Sequence, residues 1–229
     1  MSPDIAVDSR WPTVALFDLD GTLVDSAPDL AAAVDQTLLQ LGREPAGIDR
    51  VRQWIGNGSG ILMRRALAGQ VDWQPASPED DALHTEAMEI FFHHYGQING
   101  RHALVYDGVE SFLARLRELG CRMGIVTNKP EQFVAPLLEQ MGLEHWFELA
   151  VGGDTLPVRK PDPAPLLHVM DALGGNRENT VMVGDSVTDI NAARAAGVPC
   201  IAVRYGYNYG PAIDTLGADR VVDSLAELL

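Results

Sequence analysis

The sequence predicts an α/β protein in which a doubly wound parallel sheet forms the core and an all-helical segment is inserted after the first strand. Short apolar runs rich in strand-forming residues alternate with segments of helical periodicity, which predicts parallel pairing through right-handed crossovers. Over about residues 26–98 this alternation stops and the pattern is helical. The 229 residues, 46% of them hydrophobic, suit one large domain or two smaller ones.

Composition and charge exclude several classes of protein. A net charge of −15 argues against nucleic acid or an anionic membrane as a partner. No apolar run approaches the roughly 18 residues that span a bilayer, and the first residues, MSPDIAVDSR, lack the features of a secretory signal. Cys121 and Cys200 are far apart and show no metal-ligand spacing, so a reduced, cytoplasmic location is expected.

The first strand is predicted over Thr13–Leu19, because TVALFDL is a short apolar run typical of a strand buried on both faces. Helical periodicity follows, with Ser26 as the expected N-cap and Gly42 as the expected stop. The apolar positions of this helix are Leu30, Val34, Leu38 and Leu41. Further helical segments are predicted at Ile48–Ile55, Ser59–Leu67 and Pro78–Tyr95. The return near Asn99–Tyr106 is expected to form a second hinge strand.

Strands return in the second half of the chain, each after a helical segment. They are predicted at Arg122–Asn128, Phe147–Gly153, Thr180–Ser186 and Pro199–Tyr205. The helices that precede them are predicted at Gly108–Leu119, Glu131–Met141, Ala164–Leu173 and Asp189–Ala196. This order predicts a Rossmann-like core of residues 1–25 and 99–229 and a helical domain of residues 26–98.

Polar residues follow the ends of these predicted strands. They are Asp18, Asp20, Thr127, Asn128, Lys160, Asp185 and Asp189. Because open parallel sheets bind ligands at the carboxyl ends of their strands, these side chains are expected at a single edge. Carboxylates held together cost free energy unless a cation, a proton or a reaction offsets the repulsion. The chain has only two lysines, Lys129 and Lys160, and both are expected near this edge.

Four motifs in this order resemble those of the haloacid dehalogenase-like phosphohydrolases. They are DLDGT at Asp18–Thr22, TN at Thr127–Asn128, KPDP at Lys160–Pro163 and GDSVTD at Gly184–Asp189. Within that superfamily the chain is similar to the phosphoglycolate phosphatase family. The segments that carry this closer resemblance are WIGNG at Trp54–Gly58, TNKP at Thr127–Pro130, FVAPLLE at Phe133–Glu139 and YGYNYG at Tyr205–Gly210.

The resemblance implies hydrolysis of 2-phosphoglycolate to glycolate and phosphate through a covalent aspartyl phosphate on Asp18. Asp20 is expected to protonate the leaving oxygen and then to accept a proton from the attacking water. Its backbone carbonyl is the family's usual metal contact. Lys160 is expected to hold the phosphoryl oxygens and the nucleophile, and Thr127 to donate to a phosphoryl oxygen. Asn128 is expected to bind substrate beside them.

A divalent cation is expected at this site. Asp18, Asp20, Asp185 and Asp189 would repel one another and a bound phosphate, and Mg²⁺ with oxygen ligands best relieves that repulsion. Asp18 and Asp185 are the expected side-chain ligands, and Asp189 binds directly or through a water. Alternatively, Asp185 begins the next helix, Asp189 complements its dipole and Thr127 is an ordinary strand residue.

The helical segment is expected to act as a cap over the acids, excluding water and contacting the leaving group. Gly56, Asn57 and Gly58 separate two helical runs and can present backbone N–H groups to an anion. A plain helix–helix turn is the alternative, and the two roles can coexist. Asn57 is the cap residue that we expect to bind substrate. Arg64 and Arg65 are candidate carboxylate partners to which no role is assigned.

Other functions share parts of this pattern. Phosphatases for a sugar phosphate or pyrophosphate, and a phosphoglucomutase, would use the same core residues. A receiver-type signalling domain also has a phosphorylated aspartate on a doubly wound sheet, but the helical insertion and the second acid at Asp20 argue against it. A monomer and a homodimer are both compatible with the sequence.

Overall fold

The computed structural model describes residues 12–72, 78–208 and 210–229. Eight strands lie in these ranges: β1 (Val14–Phe17), β2 (Val24–Asp25), β3 (Leu104–Val105), β4 (Arg122–Val126), β5 (Leu149–Val151), β6 (Thr180–Gly184), β7 (Cys200–Val203) and β8 (Arg220–Val222). Eight α-helices accompany them: α1 (Ala27–Gln40), α2 (Ile48–Arg52), α3 (Ser59–Ala68), α4 (Pro78–Ile98), α5 (Val109–Glu118), α6 (Val134–Gln140), α7 (Ala164–Ala172) and α8 (Val187–Ala196).

Six of the strands form one parallel sheet in the order β5-β4-β1-β6-β7-β8. From β1 the chain builds outward through β4 and β5, and then returns to the other side of β1 to add β6, β7 and β8. The strand order therefore reverses beside β1, where open α/β sheets bind their ligands. The expected doubly wound parallel sheet is confirmed.

Strand β1 shows why helices cover both faces of the sheet. Val14 and Leu16 pack into a cluster with α7 and α8, whereas Ala15 and Phe17 pack into a second cluster with α5 and α6. Alternate side chains of a strand point to opposite faces, so a strand that is apolar at every position must be covered twice. All four residues are at most 1% exposed.

The register of the central strands aligns their carboxyl ends. Phe17 lies beside Ile125 of β4 and Val183 of β6. The carboxyl ends of the three strands are therefore aligned to within about two residues. The polar residues that follow each strand are thereby brought to one edge.

The inserted segment is helical, as predicted. It leaves the core after β2 and returns through β3, and these two short strands pair antiparallel, which confirms the expected second hinge strand. Helices α1–α4 bury a third apolar cluster, which also includes Phe133 and Tyr207 from the core. The division into a core of residues 1–25 and 99–229 and a domain of residues 26–98 stays a prediction.

The structure corrects two local expectations and adds one strand. Ser26 lies at the N-cap of α1 but its side chain makes no capping bond; the Ala27 N–H instead donates to the Tyr207 hydroxyl at 2.9 Å, a partner 180 residues away. The second predicted helix ends at Arg52 rather than at Ile55. The edge strand β8 is absent from the sequence prediction because three residues carry too little periodicity to be recognised.

Some expectations fall on residues that lie outside the described ranges. These are the first eleven residues, residues 73–77 of the helical segment, and Tyr209 of the YGYNYG segment. Among the described helices, none combines the length and apolar character required to cross a membrane.

We expect Phe17→Ala to lower the free energy of unfolding by about 4 kcal/mol. Phe17 is fully buried and makes edge-to-face contacts with Phe112 and Phe147, so truncation leaves a cavity beneath the first strand. Denaturant unfolding measures the loss. Leu104→Ala is the control, because Leu104 is 70% exposed and its truncation should change stability by less than about 0.5 kcal/mol. Similar losses in both variants would contradict the assigned core.

Candidate active site

The loop after β1 turns sharply so that its acids face the sheet edge. The Asp18 N–H continues the sheet by donating to Val183 O at 2.9 Å, and the chain then reverses at Gly21, whose φ is +89°. A Cβ at Gly21 would lie 2.4 Å from Asp185 Oδ2. Only glycine meets both conditions, which explains its place directly after Asp20.

Asp185 follows β6 and is fixed through both carboxylate oxygens. The Thr22 hydroxyl donates to Oδ1 at 2.9 Å, and the Tyr207 N–H donates to Oδ2 at 2.6 Å. A Cβ at Gly206 would lie 2.2 Å from the Cβ of Asp185. Two other loops, after β1 and after β7, thus close around this carboxylate.

Asp189 lies in the first turn of α8, as the expected helix-start role requires, and it also makes a contact that the sequence did not predict. Its Oδ2 accepts bonds from Ser186 Oγ at 2.6 Å and Ser186 N at 3.1 Å, closing a capping box at the start of α8. Its Oδ1 accepts from Lys160 Nζ at 2.7 Å. Asp189 therefore joins the helix start to the lysine of the site.

Lys160 is the cation at the centre of the acids. Its Nζ lies 3.0 Å from Asp18 Oδ1 and 2.7 Å from Asp189 Oδ1, and the residue is 3% exposed. Burial alone would lower the pKa of the ammonium group, but the two carboxylates more than offset this and raise it. Lys160 therefore stays charged across the physiological range.

Asp18, Asp185 and Asp189 each offer a carboxylate oxygen within 4.8 Å of the others. Burial, only partly offset by Lys160, raises the pKa of Asp18 to about 6. Burial, with the nearby charges of Asp189 and Asp18, raises the pKa of Asp185 well above its usual range. A buried set of oxygen donors with excess negative charge fits a hard divalent cation such as Mg²⁺.

Thr127 and Asn128 follow β4 and lie beside this cluster. Thr127 Oγ1 accepts from the Lys129 N–H at 3.2 Å, and Asn128 Nδ2 donates to Lys160 O at 3.0 Å. Asn128 thereby holds the backbone that carries the lysine. The peptide bond between Lys160 and Pro161 is cis.

Lys129 is a site residue to which the sequence argument assigned no role. Its Nζ lies 3.1 and 3.3 Å from the two carboxylate oxygens of Asp20, and it also donates to the hydroxyl of Tyr95 from α4. The residue is 4% exposed. The available signal was the scarcity of lysine in the chain, together with its position directly after the second motif.

A narrow cavity of about 40 Å³ separates the sheet edge from the helical segment. From the core it is lined by Asp18, Asp20, Thr127, Asn128, Lys129 and Pro130. From the helical segment it is lined by Leu30, Ile55, Gly56, Gly58, Ser59, Leu62, Phe91 and Tyr95. At roughly 10–15 Å³ for each water, this volume corresponds to only a few waters.

The segment WIGNG contacts the core directly. Asn57 Nδ2 donates to Thr188 Oγ1 at 3.3 Å, and a Cβ at Gly58 would lie 3.0 Å from Asn128 O. The structure therefore places Asn57 against the start of α8, and its neighbours Gly56 and Gly58 at the cavity.

The two arginines considered as carboxylate partners make contacts within the helical segment. Arg65 donates to Trp54 O at 2.7 Å and to Val71 O at 3.1 Å. Arg64 pairs with Asp81 at 2.8 Å.

Comparisons with known proteins agree with the motifs. The family model described as haloacid dehalogenase-like hydrolase matches residues 12–197. A phosphoglycolate phosphatase of Pseudomonas putida is 50% identical over 218 residues, which are 95% of this chain and 79% of that protein. Phosphoglycolate phosphatase 1 of Pseudomonas aeruginosa is 50% identical over 223 residues, 96% of this chain and 80% of that protein.

A solved structure gives the same result. The crystal structure of a predicted phosphoglycolate phosphatase from Haemophilus somnus superposes with a TM-score of 0.86 at 32% identity, covering 96% of this chain and 97% of that one.

Because burial opposes ionisation of Asp18, we expect Asp18→Asn to stabilise the metal-free protein at neutral pH. The pKa of the Asp18 carboxyl rises from 3.8 to about 6 on folding. Ionisation of Asp18 therefore lowers the free energy of unfolding by its full amount above this range, and by less as the pH falls towards 4. The expected gain at pH 7.5 is roughly 3 kcal/mol, and about half of that at pH 5. Denaturant unfolding with a chelator present measures both. A gain that does not depend on pH would contradict this explanation.

Proposed function

Because the chain belongs to the haloacid dehalogenase-like hydrolases, we propose that it is a Mg²⁺-dependent phosphatase that hydrolyses 2-phosphoglycolate to glycolate and phosphate. The observation that carries the proposal is the position of Asp18, which lies at the cavity, pairs with Lys160 and belongs to the cluster of three carboxylates. The choice of substrate is supported by the names of relatives that are about half identical over 95% or more of the chain.

Asp18 is the proposed nucleophile. One carboxylate oxygen attacks phosphorus, the bond from phosphorus to the ester oxygen breaks, and an aspartyl phosphate forms on Asp18. Asp20, protonated in the substrate complex although it pairs with Lys129 in this structure, donates that proton to the departing ester oxygen, which leaves as the hydroxyl of glycolate. Asp20 then takes a proton from the attacking water, whose oxygen displaces the aspartate and releases inorganic phosphate. Both acids line the same cavity, which supports this division of roles.

Lys160, Thr127 and Asn128 position the phosphoryl group in this scheme. Lys160 supplies the fixed positive charge beside Asp18, and Thr127 donates to a phosphoryl oxygen as charge spreads over it in the transition state. Asn128 lines the cavity while it holds the Lys160 carbonyl.

Asp18 and Asp185 would hold Mg²⁺, together with the Asp20 carbonyl. When bound, the cation neutralises part of the charge on the carboxylates and the phosphoryl group. Asp185 accepts only from the neutral Thr22 hydroxyl and Tyr207 N–H, whereas one oxygen of Asp189 accepts from the Lys160 cation. We therefore assign Asp189 to hold Lys160 and to reach the cation through a water.

Residues 26–98 act as the cap in this proposal. Four apolar side chains from this segment line the cavity: Leu30, Ile55, Leu62 and Phe91. They exclude water from the aspartyl phosphate while the leaving group departs. Asn57 connects the cap to α8 through Thr188, so in this proposal it would bind substrate only after its amide leaves Thr188.

A substrate panel tests the proposed function. Phosphate release from 2-phosphoglycolate should exceed that from a hexose phosphate and from pyrophosphate by at least about tenfold in kcat/KM. A chelator should stop turnover and Mg²⁺ should restore it.

Asp18→Asn should lose at least about 1,000-fold in kcat. A phosphate that persists on the protein would favour a receiver, and turnover that survives Asp18→Asn would refute the nucleophile.

Asp20→Asn should slow the hydrolysis of esters with poor leaving groups most, because their leaving oxygen must be protonated as it departs. We expect a loss of about 100-fold or more for 2-phosphoglycolate and under about tenfold for p-nitrophenyl phosphate. The kcat/KM of both substrates provides the measurement. Asp171→Asn, an exposed acid on α7, is the control for the same change in charge. Equal losses for the two esters would exclude the acid role.

A further inference from the structure

Lys129 is a buried cation in the cavity that the proposed mechanism does not use. It is 4% exposed, and its ammonium group bonds to Asp20 and to the Tyr95 hydroxyl. An ammonium group has three donors. Among the described residues its recorded bonds go to both carboxylate oxygens of Asp20 and to the Tyr95 hydroxyl. An anion in the cavity that these residues line would therefore take the place of one bond to Asp20.

The position of Lys129 relative to Asp20 defines what it can reach. Asp20 serves the ester oxygen of the leaving group in the proposed mechanism, and Lys129 Nζ lies 3.1 Å from Asp20 Oδ1. In 2-phosphoglycolate a single methylene separates the ester oxygen from the carboxylate. A leaving group aligned on Asp20 therefore brings its carboxylate to Lys129.

The other walls of the cavity limit which leaving groups fit. On the cap side they are largely apolar, with Leu30, Ile55, Leu62 and Phe91. The hydroxyl groups of a sugar would lose their water there without gaining partners. A small anion gains the charge-assisted bond to Lys129 instead.

Tyr95 connects this cation to the cap. Its ring stacks on Phe91 and meets Phe133 edge-on, while its hydroxyl accepts from Lys129. The ring is therefore fixed by packing, and α4 adds a second contact to an ammonium group that Asp20 holds from the core.

We propose that Lys129, held by Tyr95, binds the carboxylate of the leaving group and selects phosphate esters that carry an anion one methylene from the ester oxygen. This inference rests on the proposed function. Lys160 then serves the phosphoryl group and Lys129 the opposite end of the substrate, so that the two lysines of the chain bind its two anionic groups.

The test compares 2-phosphoglycolate with 2-hydroxyethyl phosphate, which replaces the carboxylate with a neutral group. For Lys129→Met we expect kcat/KM for 2-phosphoglycolate to fall about 100-fold, mainly through KM. That loss should be at least thirty times the loss for the neutral ester. Arg177→Met makes the same change in net charge at an exposed position and should leave the ratio of the two substrates unaltered.

Two outcomes separate failure of this inference from failure of the proposed function. Equal losses for both esters in Lys129→Met, expressed in kcat, would mean that Lys129 only orients Asp20, and would overturn the inference alone. A wild-type enzyme without preference for 2-phosphoglycolate would overturn the proposed function and the inference with it.

A second variant and a direct measurement avoid dependence on how Lys129→Met folds. Tyr95→Phe keeps the packed ring, and we expect about a fivefold loss of the preference for the acidic ester. The two lysines also allow assignment of both ¹⁵Nζ signals in lysine-labelled protein. Titration with glycolate should shift the Lys129 signal, and a shift confined to Lys160 would overturn the proposal.

Discussion

The ion pairs of Lys160 are the interaction on which the edge of the sheet depends. Asp18, Asp185 and Asp189 each place a carboxylate oxygen within 4.8 Å of the others, and Lys160 forms ion pairs with Asp18 and Asp189. Without that charge, burial and mutual repulsion would oppose ionisation of the whole cluster. With it, excess negative charge remains, as a site for a divalent cation and a phosphoryl group requires.

This arrangement explains features that contribute little to stability by themselves. Gly21 and Gly206 approach Asp185 so closely that any Cβ would collide with it. One carboxylate oxygen of Asp189 accepts from Ser186 at the start of α8, and the other accepts from Lys160. A bound cation would offset the free-energy cost of burying the ionised carboxyls of Asp18 and Asp185. Ligand affinity and the stability of the fold are therefore linked at this edge.

The helical segment completes the site from the opposite side. Tyr95 reaches from α4 to Lys129, Asn57 reaches α8, and Tyr207 of the core accepts from the first N–H of α1. The catalytic proposal and the specificity proposal therefore depend on different parts of the cavity. Chemistry belongs to the sheet edge, whereas discrimination between leaving groups belongs to the contact between sheet edge and helices.

The sequence by itself determined the alternation of strands and helices, the helical insertion and the placing of Asp18, Thr127 and Asp185 at strand ends, because these follow from local periodicity and from short motifs. Tertiary structure alone decided what Lys129 contacts, why Ser26 makes no cap, and that both oxygens of Asp189 are occupied. Each of these depends on partners distant along the chain, such as Tyr95 for Lys129 and Tyr207 for Ala27. Local patterns do not encode such partners, since packing between separate elements brings them together.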